Sequence, residues 1–93
     1  LVIPGASFLE KDGTFTNLER RIQRIRKAVE PPADLLPDWQ VVCEVSARMG
    51  YPMQYSHPSA IMDEIAQLAP MFAGVSFDRL DAPGGLQWPV PSK

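Results

Sequence analysis

Cysteine is almost absent from this sequence: the 93 residues hold one, Cys43, and histidine is equally scarce, with His57 alone. A single thiol excludes an internal disulfide framework and any cysteine-only metal cluster. One His with one Cys cannot build a closed metal site. The lone thiol fits a reducing compartment, so a cytoplasmic location is expected. No run approaches the roughly 20 apolar residues that a membrane span needs, and no signal peptide is recognisable. Charge of either sign is not in excess: nine basic and eleven acidic residues leave a net −2. The molecule as a whole therefore gives no general reason to bind nucleic acid or membranes. Glycines number six, and no segment has low complexity. An initiating Met is also lacking. Leu1-Val2-Ile3-Pro4 reads as the end of a strand running into a loop, and the expectation is a piece of a larger protein.

Proline is present in plenty. The ten prolines are about twice the usual share and sit at element boundaries, so short elements and many turns are expected. A chain of this size buries only roughly 60–65% of the surface its unfolded form exposes. Charge divides it in two: residues 1–27 are net positive and residues 28–93 net negative.

Leu1 to Ile3 reads as a strand end stopped by Pro4-Gly5. Asp12-Gly13 is a strong turn signal, because Gly supplies a positive φ, and the apolar residues on either side suggest a hairpin there. Residues 18–29 are ambiguous. Leu18, Ile22, Ile25 and Val29 are spaced 4, 3 and 4 apart, an amphipathic-helix pattern, yet the same residues fit an extended segment with bulges. Pro31-Pro32 ends that element, and residues 31–37 form a linker. A helix is expected over about Asp38–Met49, with Trp39, Val42, Cys43, Ala47 and Met49 along its packing side and Gly50 just past its end. A second helix is expected over about Pro58–Ala69, with Pro58 at the first helical position, Ile61, Met62, Ile65, Leu68 and Ala69 as its apolar stripe, and Pro70 ending it. Ser76 caps a further helical turn to Leu80. Residues 82–85 form a loop and 86–93 an extended, proline-punctuated tail.

No nucleophile–base pair stands out. His57 falls at the N-cap of the second helix and is read as a capping residue. Cys43 is read as a small buried hydrophobe. The adjacent Asp63 and Glu64 point to different sides of their helix, and Trp39 and Trp88 are read as packing residues. The basic run Arg20-Arg21-Ile22-Gln23-Arg24-Ile25-Arg26-Lys27 is the one segment that asks for a partner. Five like charges in eight residues need counter-charges, either as a solvated, salt-bridged face or as a contact surface. Arginine suits phosphate, because its planar fork gives two parallel hydrogen bonds.

The stretch Pro4-Gly5-Ala6-Ser7-Phe8-Leu9-Glu10-Lys11-Asp12-Gly13-Thr14-Phe15-Thr16-Asn17-Leu18-Glu19-Arg20-Arg21-Ile22-Gln23 resembles the molybdopterin oxidoreductase family. There a strand ending in Leu-Pro is followed by Glu-x-x-Gly-Thr-x-x-Asn-x-Glu-(Gly/Arg)-Arg-x-Gln. Glu10, Gly13, Thr14, Asn17, Glu19, Arg21 and Gln23 fill that frame. Later segments narrow the resemblance: Pro37-Asp38-Trp39, Arg48-Met49-Gly50-Tyr51-Pro52-Met53, Tyr55-Ser56-His57-Pro58-Ser59, Phe72-Ala73-Gly74-Val75-Ser76-Phe77 and Leu86-Gln87-Trp88-Pro89. In this order they look like the alpha subunit of formate dehydrogenases, especially of the soluble NAD-linked type.

The resemblance implies a parent enzyme that oxidises formate to carbon dioxide. Its cofactors would be molybdenum (or tungsten) held by two molybdopterin guanine dinucleotides, and 4Fe-4S clusters leading to NAD through diaphorase-type partner subunits. The family's Cys-His or selenocysteine-His pair is missing, since Glu44 follows Cys43, and so is its Cys-rich segment. The chain alone is therefore expected to be catalytically inert, to hold no cofactor, and to be a structural partner of the remainder of the alpha subunit. Cofactor contacts in the parent are expected from Glu10, Gly13, Thr14, Asn17, Arg20 and Arg21. The family also implies an extended start for residues 18–25, against the periodicity; in an isolated chain the helix could still win.

The expected fold class is α+β: a strand or hairpin segment with the basic run (1–30), two or three short helices (37–81), and an extended tail (82–93). Two other readings remain, a small helical interaction module and a nucleic-acid binder using residues 20–27. The nucleic-acid reading requires affinity that falls steeply with salt. A piece of a larger protein should expose an apolar patch and self-associate.

Overall fold

The alternation of short apolar and charged residues after Gly13 resolves into a three-stranded antiparallel sheet of order β1-β2-β3, in a computed structural model that describes all of Leu1–Lys93. The strands are β1 (Gly13–Thr16), β2 (Arg21–Ile25) and β3 (Leu86–Gln87). Three helices lie between β2 and β3 in the chain: α1 (Asp38–Arg48), α2 (Pro58–Leu68) and α3 (Phe77–Leu80), with a 3-10 turn at Pro70–Phe72. The class is α+β, as expected.

Residues 21–25 are extended, so tertiary pairing overrides the helical spacing. β2 is the central strand, with Gly13 opposite Ile25, Thr16 opposite Ile22, and Ile22 opposite Leu86. Both of its edges are thereby hydrogen-bonded, which a helix here could not offer to β1 and β3. A helix would also set Arg20 against Arg24 at i,i+4, a like-charge pair. Alternation along the strand sends Ile22 and Arg24 to the core side. Ile22 is 1% exposed, while Leu18 and Val29, which would complete a helical stripe, lie in the open.

The hairpin turn is not at Asp12-Gly13. It occupies Asn17–Arg20, where the Arg20 N–H donates to the Asn17 carbonyl at 2.9 Å. Gly13 opens β1 without a positive φ. Two further expectations are corrected. Leu1–Ile3 form no strand; the first pairing of the chain is a single parallel bridge from Gly5 to Leu36. The tail is extended, but its start pairs with β2 as β3.

The helix ends follow local chemistry. Past α1, Gly50 has φ +88°. The Gly50 and Tyr51 N–H groups return to the carbonyls of Ala47 and Ser46 at 3.1 and 3.0 Å, a Schellman closure. α2 begins at Pro58, with His57 Nδ1 accepting from the Ser59 N–H at 3.2 Å. Ser76 Oγ caps α3 by accepting from the Arg79 N–H.

The core joins the sheet to α2, α3 and the tail: Ile22, Met62, Val75, Phe77, Leu80 and Val90, flanked by Phe72, Leu86 and Trp88. α1 contributes no buried residue. Its apolar side, expected to pack, is only partly covered within these residues: Val42, Ala47 and Met49 are exposed, and Trp39 and Cys43 are half-buried rather than buried.

One carboxylate ties α3 to the sheet. Asp81 Oδ1 accepts from Arg24 Nε at 3.1 Å and from Arg26 Nη2 at 2.6 Å. The Arg24 side chain, 10% exposed, also lies 3.8 Å above the Phe77 ring. Asp81→Asn leaves this mostly desolvated cation without its counter-ion. Because Asp81 itself is half-exposed, the expected loss is about 1–2 kcal/mol. Urea unfolding of the 93-residue chain checks it, and the difference from the parent should shrink in high salt.

Candidate functional site

The residues singled out from the sequence fall into two groups. Asn17, Arg20 and Arg21 lie together at the hairpin tip. Glu10, Gly13 and Thr14 lie at its base, on the order of 10 Å away along β1 at about 3.3 Å per residue.

The tip is built around one side chain. Asn17 Oδ1 accepts from the N–H groups of Glu19 and Arg21, each at 2.9 Å, and the Asn17 N–H donates to the Arg21 carbonyl at 3.1 Å. An Asn side chain closing its own turn in this way is a familiar local device. Arg20 takes φ +61°, the left-handed conformation that ends a three-residue hairpin loop and costs a residue with a Cβ roughly 1–2 kcal/mol. The tail braces the turn: the Trp88 N–H donates to the Arg20 carbonyl at 2.8 Å and Gln87 Nε2 to the Glu19 carbonyl at 3.0 Å.

The tip's charges are those left over from the basic run. Arg24 and Arg26 are held by Asp81, and Lys27 Nζ by Glu30 at 2.8 Å. Arg21 Nη1 donates to the Gly84 carbonyl at 2.8 Å. The Arg20 guanidinium stands 6.0 Å from the Trp88 ring. Neither Arg20 nor Arg21 has a carboxylate within 4.0 Å. Beneath them, Trp88 Nε1 is fully buried and has no hydrogen-bond acceptor. Trp88 and Gln87 were not legible as tip residues: the turn they brace lies some 70 positions earlier, and only folding brings them together.

The base is differently made. Glu10 Oε2 accepts from the Ser7 N–H at 2.7 Å and closes its own turn. Gly13 and Thr14 line a cleft of about 300 Å³ with Asp38, Trp39, Met62 and Phe77. Lys11 Nζ donates to Asp38 Oδ2 across its mouth at 2.6 Å. This group holds no unpaired cation.

The remaining candidates are structural. His57 meets Phe77 edge-on at 5.7 Å, besides capping α2. The Tyr55 hydroxyl donates to Glu64 Oε2 at 2.5 Å, and this hydrogen bond holds the phenol pKa above its ordinary 10.0. A raised folded pKa stabilises the fold below the unfolded value and loses that contribution as the phenol ionises. The contribution is therefore constant below pH 10 and its loss is confined to higher pH. Glu64→Gln should lower the pH at which the Tyr55 phenolate band appears in ultraviolet titration.

No three His, Cys, Asp or Glu side chains are grouped so as to hold a metal ion. No helix is long and apolar enough to cross a membrane.

Comparison with known proteins places these features. The sequence model of the family described as molybdopterin oxidoreductase matches residues 1–48, from the first residue through the end of α1. Proteins of Staphylococcus aureus strains USA300 and NCTC 8325 / PS 47, both named "putative formate dehydrogenase", are 54% identical over 90 residues. The corresponding protein of the bovine strain RF122/ET3-1 is 51% identical over the same length. Each match takes in 97% of this chain but only 9% of the relative.

Proposed function

This chain belongs to the molybdopterin oxidoreductase family, and on that premise we propose that it is one segment, itself catalytically inert, of the large subunit of a molybdenum-dependent formate dehydrogenase. In that reading residues 1–30 bring a basic hairpin to the cofactor, while 37–81 and 82–93 support it. The subunit would work in the cytoplasm. The reaction removes one proton and two electrons from formate to leave carbon dioxide. The electrons would pass through 4Fe-4S clusters to NAD held by diaphorase-type partner subunits.

The observation that carries the reading is the hairpin tip. Arg20 and Arg21 are the two members of the basic run without a carboxylate partner, and Asn17 fixes the turn that presents them. Two guanidinium groups suit the phosphates of a pterin guanine dinucleotide. The metal and the iron–sulfur clusters do not fit these residues, since one Cys and one His, outside any cluster of ligands, cannot hold them. They would belong to other parts of the subunit. The metal–pterin group, when bound elsewhere in the subunit, would supply the acceptor for the electrons of formate. This chain's own work is to bind phosphate through Arg20 and Arg21 and to keep the turn rigid through Asn17, Gln87 and Trp88. Glu10, Gly13 and Thr14, at the hairpin's far end, would approach the cofactor only through a separate contact.

A nucleic-acid reading of residues 20–27 gains little support, because Arg24, Arg26 and Lys27 are neutralised within the chain. The test is cofactor content of the complete subunit. Arg20→Met/Arg21→Met should release far less guanine nucleotide on denaturation than the parent. An unchanged yield would remove the proposed contact.

A further inference from the structure

The most unusual surface of the molecule is α1. At 100° per residue, Val41, Val45, Met49, Val42, Trp39 and Cys43 fall within about 200° of the helix, an arc wider than the apolar stripe of an ordinary surface helix and interrupted by Asp38 at its first residue and by Ser46. Yet Val42 is 60% exposed and Met49 81%, and no residue of the helix is buried. Grooves run along both flanks, one mostly apolar and one of mixed lining. One of about 500 Å³ is lined by Val41, Val42, Val45, Met49, Tyr51 and Met53. The other, of about 650 Å³, includes Leu36, Trp39, Cys43 and Met53.

We propose that α1 is an interior helix, and that its open face is covered by an apolar surface of the same polypeptide outside these 93 residues. Two observations select that occupant. The charges of α1 are matched within the chain, Asp38 by Lys11 at 2.6 Å and Glu44 by Arg48 at 3.9 Å, so the helix does not call for a charged partner such as a membrane surface or nucleic acid. The relatives extend far beyond the matched region, which is 9% of their length, and the family match runs through α1 to Arg48. The helix thus belongs to a unit whose other parts lie elsewhere in the longer chain. Eleven residues are too few for a helix to persist in water unaided, so the cover also maintains it. The inference rests on the larger-subunit reading above but not on the cofactor contact.

Amide hydrogen exchange of residues 42–48 tests it, in the 93-residue chain and in the complete subunit prepared without cofactor or partner subunits. Exchange should be slower in the complete subunit by about a hundredfold or more. Equal exchange in both would overturn the proposal. So would a discrete dimer of the 93-residue chain that reproduces the full protection of the complete subunit, or protection that appears only when a separate subunit is added. Val42→Glu/Val45→Glu should leave the melting of the 93-residue chain unchanged and lower that of the complete subunit by on the order of 10 °C. The milder Val42→Thr should give a smaller drop in the same direction; no drop with either variant contradicts the proposal. Loss of nucleotide in the arginine variant with α1 still protected, or the reverse, separates this inference from the cofactor reading.

Discussion

Ile22→Ala is expected to destabilise the 93-residue chain by about 2–5 kcal/mol, the range for truncating a buried aliphatic side chain. The core holds six mutually packed residues, and Ile22 is the most buried of them at 1% exposure. It sits on the central strand opposite Thr16 on one side and Leu86 on the other. Its loss opens a void where the sheet meets Phe77, Leu80 and Val90. A small domain has little stability to spare, so a loss at the upper end of that range would leave the chain unfolded at room temperature. Urea denaturation followed by far-ultraviolet circular dichroism checks this. A midpoint within error of the parent's would mean that the sheet is not seated on this core.

Gly85→Ala is the second large effect. Gly85 has φ +63°, and a Cβ there would be driven into the backbone carbonyl oxygen of Ile22, with Gln23 Cγ at 3.4 Å and Arg21 Cγ at 3.5 Å. Backbone cannot move aside as a flexible side chain can, so β3 must lift from β2. That would also loosen the Trp88 and Gln87 hydrogen bonds that brace the hairpin tip. The expected cost is about 2–4 kcal/mol, beyond the roughly 1–2 kcal/mol of left-handed strain alone. Gly84→Ala is the control: φ is +96° but nothing lies within 4 Å of its Cβ position, so only the strain remains. Thermal melting of both variants distinguishes them, and equal losses would show that the close approach of Gly85 to Ile22 has no energetic weight.

What could be read in advance was local. Pro58 after His57, Ser76 before Phe77 and Gly50 after Met49 are start and stop signals whose chemistry is complete within a few residues, and each stands where it was read. The hairpin was legible as a type of element but not in position. Asp12-Gly13 carries the stronger turn composition, whereas the turn is made by Asn17, whose side chain supplies the hydrogen bonds, and by Arg20 in a conformation usually left to glycine. The extended course of Leu86-Gln87 was legible from the proline-punctuated tail, but its pairing with residues 21 and 22 as β3 was not, because that partner lies more than 60 positions earlier. The helical spacing of Leu18, Ile22, Ile25 and Val29 is overridden by pairing, since two neighbouring strands decide the conformation of β2. The extended start expected for residues 18–25 holds over Arg21–Ile25, while residues 18–20 belong to the turn. Of the candidate site, the sequence motif joined Glu10, Gly13 and Thr14 to Asn17, Arg20 and Arg21, and the fold parts them along β1. Asp81 drains the charge of Arg24 and Arg26 from nearly 60 positions away, and no pattern of charges along the chain announces that.

We propose that the hairpin tip delivers Arg20 and Arg21 to a phosphate-bearing pterin in a larger oxidoreductase subunit. The most direct test of this contact is the guanine nucleotide released per denatured molecule of the complete subunit, for the parent, for Arg20→Met/Arg21→Met and for Arg26→Met. The last removes a neighbouring cation that Asp81 already holds. The account predicts a drop of about tenfold or more for the double variant, as expected when two charge-assisted contacts are lost, and parental content for Arg26→Met. Parental content in the double variant, or an equal drop in both, would contradict it.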